Sequence, residues 1–198
     1  MRTIIFSLVT AALFATSSAH AVNLPTQAQI QAALDKAMEA KIAKLSSSAP
    51  MPLAITIVSL LGCKPSPEVK EEVVCLVGMS TSRRDAYKVA PLRLDGDTWV
   101  SVERKDAIFP GPTPAQAQAA MRAWAEDVSA KDPEAVKDKH IQEARTTLKV
   151  LAVDHCGIRS KTGQIMCEVI LSFPDNRTVD TDMNFALEGG GWKFVSGK

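Results

Sequence analysis

The chain has 198 residues, with 23 basic against 22 acidic side chains and a formal net charge of +1. Charge so evenly balanced excludes the strong positive field of a nucleic-acid binder or of a protein that coats anionic membranes. The length allows one domain or two small ones, and small units bury too little surface to be very stable without covalent help.

The first residues read as a leader. Arg2 is the only charge among the first 21, an apolar run from Ile4 to Ala15 follows, and Ala19-His20-Ala21 gives a small-x-small cleavage pattern. The run falls short of the roughly 20 apolar residues that span a bilayer. Residues 1–21 are therefore expected to be a cleavable signal peptide, and the mature chain a periplasmic or secreted protein with no membrane span. Cleavage would leave 23 − 1 = 22 basic against 22 acidic residues.

After the leader, Pro25-Thr26 opens a helix. Thr26 is the expected N-cap, and Ile30, Leu34, Ala37, Met38, Ile42 and Leu45 recur at helical spacing. The serines and prolines of 46–52 end it, and the period then changes to two. Ile55 to Leu61 leads into Cys63, and Val73 to Met79 leaves from Cys75. Ala86 to Leu94 pairs with Thr98 to Val102 across Asp95-Gly96-Asp97. Phe109-Pro110-Gly111-Pro112 stops strand pairing and reads as a connector. A second helix starts at Thr113 with Ala117, Met121, Trp124 and Val128 on one face. Asp132-Pro133 predicts a restart that runs to about Thr146 with Asp132 as its cap. Leu148 to Val153, Ile165 to Phe173, Val179 to Leu187 and Trp192 to Val195 then repeat the strand pattern, the last two around Gly189-Gly190-Gly191.

The chain matches itself. Residues 25–34 resemble residues 112–121 at an offset of 112 − 25 = 87. The cysteines then recur 12 apart (Cys63, Cys75) and 11 apart (Cys156, Cys167), each pair followed by a turn and a tryptophan, Trp99 or Trp192. The expected fold is α+β, a tandem duplication of a helix on a four-stranded antiparallel sheet. Residues 22–106 form the first unit, 107–113 a linker and 114–198 the second.

Four cysteines in an exported chain imply two disulfides, with three possible pairings. The repeat favours Cys63–Cys75 and Cys156–Cys167, since each pair brackets the loop between adjacent strands. The bracketed stretches, Lys64 to Val74 and Gly157 to Met166, are clamped at both ends and so offer candidate binding residues: Lys64, Glu68, Lys70 and Glu71 in one, Arg159 and Lys161 in the other. The competing reading is that the staples serve stability alone.

Chemistry is scarce. No nucleophile elbow, metalloprotease helix, phosphate loop or dinucleotide fingerprint occurs. The cysteine spacings suit neither zinc nor a C-x-x-C dithiol, so no catalytic residue, metal or cofactor is expected. Asp180 and Asp182 share a strand face and read as an exposed acidic strand, and His155 is kept from Cys156 by strand alternation. The two-unit plan with hairpin disulfides resembles the tandem architecture of secreted β-lactamase-inhibitory proteins, and each helix followed by a meander resembles cystatin-like folds. The chain has neither the Gly-Met-Thr helix start of the first nor the Gln-x-Val-x-Gly loop of the second. Two functions stand ahead of a third, a hydrolase, and the first of the two leads. One is a protein-binding module for another envelope or secreted protein: an inhibitor, an immunity protein or an envelope-assembly factor. The other is a carrier of a small apolar ligand between helix and sheet, where Ala33, Ala37, Ala117 and Ala120 either leave room or permit close packing.

Overall fold

The computed structural model describes residues 24–45 and 54–196, so the leader expected over 1–21 lies outside the described residues. The element order is α1 (Gln27–Ile42), β1 (Thr56–Pro65), β2 (Glu72–Ser80), β3 (Asp85–Asp95), β4 (Thr98–Ser101), α2 (Pro114–Lys131), α3 (Lys139–Thr146), β5 (Lys149–Ile158), β6 (Ile165–Ser172), β7 (Thr178–Glu188) and β8 (Gly191–Val195). The fold is α+β, with two separate four-stranded antiparallel sheets ordered β1-β2-β3-β4 and β5-β6-β7-β8. Both disulfides, Cys63–Cys75 and Cys156–Cys167, are formed.

The helix starts obey one rule. Thr26 accepts from the Gln29 N–H while the Gln29 side chain returns to the Thr26 N–H, and Thr113 and Gln116 repeat this reciprocal cap. One turn further on, each helix reaches a strand edge. The Gln31 amide donates to the Ile55 carbonyl at 3.0 Å and accepts from the Ile57 N–H at 2.7 Å. Gln118 does the same at Leu148 and Val150, at 2.8 and 2.7 Å. A side-chain amide thus imitates a neighbouring strand at the start of β1 and of β5. Just beyond each clasp the strand bulges, leaving Val58 and Leu151 unpaired and 55% and 52% exposed.

Two predicted features differ. The first strand of each unit runs through its cysteine: Cys63 faces Cys75 directly and Lys64 and Pro65 still pair with Val74 and Val73. In the second unit Gly157 and Ile158 pair with Met166 and Ile165. The true loops are therefore only 66–71 and 159–164. The helix restart also moves. Asp132 ends α2, and its carboxylate turns back to the Glu134 N–H. The cap of α3 is Asp138, which accepts from the His140 and Ile141 N–H groups. Pro133 favours a short turn there, and Asp138 is the next side chain able to cap.

Packing then joins the units. Val73, Cys75 and Val77 of β2 pack under Ile30 and Ala33 of α1. The alternate residues Val74 and Leu76 pack with Phe109 of the connector and with Ile165, Phe185 and Leu187 of the second unit. The back of the first sheet is thereby buried against the face of the second sheet that also carries α2. The surface of the first sheet opposite its helix is therefore core and not an open platform.

Candidate ligand cleft in the first unit

The clamped loops are tied inward. Glu68 and the buried Glu72 both bind the Arg104 guanidinium, Ser66 Oγ lies 3.4 Å from it, and the Ile108 N–H reaches Glu68 at 3.4 Å. The two carboxylates, Glu68 foremost, hold Arg104 in its charged form beyond the ordinary guanidinium range. Lys64 lies over the Trp192 ring at 5.2 Å, a cation–π contact between the units. In the second loop, Arg159 reaches the Met166 sulfur at 3.3 Å, the Ser160 carbonyl accepts from the Tyr87 N–H at 2.7 Å, and Gly163 lies against Tyr87 and Leu61. Gly163 has φ of 71°, and an added Cβ there would lie 2.7 Å from the Tyr87 ring. Of the six candidate residues, only Lys70, Glu71 and Lys161 stand exposed with no side-chain bond among the described residues. The structure does not gather the two loops into one surface: the first is tied to the segment after β4, the second to β3.

The open feature lies elsewhere. Between the second half of α1, Ile55 and the segment Ser101 to Lys105 is a cleft of about 1000 Å³. Leu34, Met38, Ile42, Ile55 and Val102 line it and are only half-buried. Ala37 and Ser101 face it from opposite walls. The internal repeat explains the space. Ala37 corresponds to Trp124 at the helix offset, and Ser101 to Phe194 once the strands are aligned on Trp99 and Trp192. Trp124 and Phe194 stack edge to face with centroids 5.1 Å apart. Alongside, α3 packs on α2 through Ile141 and Ala144. The second unit fills with two rings and a helix the region that the described residues of the first unit leave open. A hollow of about 410 Å³ remains beside that pair, bounded by polar residues such as Gln164, Glu188 and Lys193.

The exposed face of the second sheet is acidic. Asp154, Glu168 and Asp182 stand in register across β5, β6 and β7, with Asp180 diagonal to Glu168. His155, at the β5 bulge with φ of 47°, reaches Glu168 at 2.7 Å. That bond, helped by Asp180, lowers the Glu168 pKa, and Glu168 in turn raises that of Asp180. Among the described residues no three metal-binding side chains converge, and no helix is long and apolar enough to cross a membrane.

Comparison with protein-family models and with curated proteins finds no match. The geometry therefore stands alone. Sequence reasoning missed the cleft walls at Leu34, Met38, Ile42, Ile55 and Val102, whose apolar spacing is equally that of core. The available signal was the unequal pair of positions, alanine and serine in one repeat against tryptophan and phenylalanine in the other.

Proposed function

We propose that the protein is an exported carrier, holding a small apolar ligand between α1 and the open end of the first sheet. The cleft carries this reading. Its volume, about 1000 Å³, is that of a small-molecule site, and such sites are concave and mostly apolar. Two disulfides support an oxidising compartment outside the cytoplasm, in keeping with the leader pattern at 1–21. The likeness to cystatin-like folds fits the same plan, a helix lying on a meander with space between them. Two tandem units, 22–106 and 114–198 joined by 107–113, would then share one architecture and differ in whether that space is open.

The test is native mass spectrometry of the mature protein from periplasmic extract. A species carrying one small molecule per chain, lost on denaturation, is the expected outcome. Ligand-free protein that instead captures a stoichiometric protein partner would replace the carrier with a protein-binding module: an inhibitor, an immunity protein or an envelope-assembly factor. Exposed Lys70, Glu71 and Lys161 at the clamped loop tips favour that second reading. Its partner should be lost when Cys63 and Cys75 are replaced by serine.

A further inference from the structure

We infer that the cleft selects a flexible alkyl chain by its length and leaves the head group in water, whatever its charge; the inference rests on the carrier reading above. The walls come first. Leu34, Met38, Ile42, Ile55 and Val102 are aliphatic or thioether side chains, and among the described residues no aromatic ring lines the cleft. Such walls adapt to a chain that bends, whereas a planar ligand gains most from ring faces and edges. The second unit supplies such a partner at the equivalent place, where Trp124 meets Phe194 edge to face; the lining of the first unit has none. The lining follows α1 from Leu34 to Lys44, a path of roughly 15 Å at helical rise. A guest that covers the whole apolar stripe must be extended along it.

The rim is mixed. Asp35, Glu39 and Glu103 share the lining with Lys41, Lys44 and Lys105, three carboxylates against three ammonium groups, all exposed. Lys41 pairs with Glu103 at 3.2 Å. The Gln31 amide donates to Asp35 at 2.8 Å and leaves its charge in place. Arg104 is turned to Glu68 and the buried Glu72, which lie off the lining, and that cluster carries one negative charge in excess. Exposed charges of both signs, screened by salt, give a head group little by which to be chosen. The five apolar wall residues are only half-buried, so the cleft opens to water along its side. A polar head therefore keeps its hydration while the tail is covered, and the tail alone carries the selection.

The experiment uses the full mature chain and two probe series, each below its micelle concentration. One varies the tail under an uncharged head: octyl, decyl, dodecyl and tetradecyl maltoside. The other varies the head on one tail: dodecanoate, dodecyl maltoside and dodecyltrimethylammonium. Binding is read by calorimetry and by displacement of an apolar fluorophore. Affinity should rise by about fourfold for each methylene, the fold-change of one buried CH2, and level off by tetradecyl as the tail outgrows the slot. The three dodecyl probes should agree within about fivefold, the scale of one exposed ion pair. The pair Ala37→Trp and Ser101→Phe, which installs the rings of the second unit, should abolish binding of every probe; Ala37→Phe alone serves if the pair does not fold. Tails that bind no better as they lengthen, or the compact alcohol 1-adamantanol binding as tightly as dodecyl maltoside, overturn the chain inference and leave the carrier standing. So does a preference of more than about tenfold for either charged head, which exceeds what exposed charges supply. No binding of any probe, or full binding by a folded plugged variant, overturns both.

Discussion

Two half-buried glutamines do more than their polar character suggests. Gln31 and Gln118 each satisfy a carbonyl and an N–H at a strand edge, groups that would otherwise stay open to a passing strand. Gln31→Ala should cost about 1 to 2 kcal/mol in urea unfolding, the usual range for losing such bonds. Gln31→Glu should recover little, because a carboxylate cannot donate to the Ile55 carbonyl. On the acidic face the signs of two carboxyls oppose one another. Glu168, with its pKa lowered first by His155, contributes stability above the ordinary glutamate pKa and loses it as pH falls through the folded value. Asp180, with its pKa raised by Glu168, costs stability once pH climbs through its ordinary value toward the raised one. Asp180→Asn should therefore raise the melting temperature at pH 7 and leave it unchanged at pH 2, where the wild-type side chain is already neutral. Melting curves at the two pH values check this.

At the scale of elements, much was readable because the signals are local. Thr26 and Thr113 cap as their spacing with Gln29 and Gln116 implies, and the hairpin turns fall at Asp95-Gly96 and at the glycines after Glu188. The disulfides join the partners that the repeat favours. What escaped depends on distant residues. Glu68 reads as a loop-tip charge until Arg104, 36 positions downstream, turns it inward. The strands outrun their cysteines because Val73 and Ile165 still have core to fill. The cleft is invisible to periodicity, which marks Leu34, Met38 and Ile42 as one apolar stripe and not as a stripe whose far end is uncovered among the described residues. Replacing Cys63 and Cys75 by serine should cost about 3 kcal/mol in the chain-entropy account, read by denaturant unfolding. Arg104→Met should lower the melting temperature more than Lys41→Met does. It strands the carboxylate of Glu72, only 5% exposed, whereas the Lys41–Glu103 pair lies in solvent.

Over the whole molecule, the controlling feature is that β2 is buried on both faces. Leu76 is fully buried and belongs to the core of the second unit although it sits in the first sheet. Leu76→Ala should cost about 2 to 5 kcal/mol. Since that core spans both units, hydrogen exchange should show amides of β2 and β6 losing protection together. Separate losses would mean that the units unfold independently. Gly62 marks the same join, where a Cβ would come within 2.6 Å of Leu187.

That shared strand also bears on the order of events when the chain is made. The first sheet is synthesised complete before Phe109, Ile165, Phe185 or Leu187 exists, so Val74 and Leu76 must wait for their partners while facing water. An early intermediate should therefore carry a sticky, unsheltered surface, and its lifetime is set by how fast the later half arrives. Holding chaperones would find their target on β2 during that interval, and crowding of nascent chains would show first as aggregation through it.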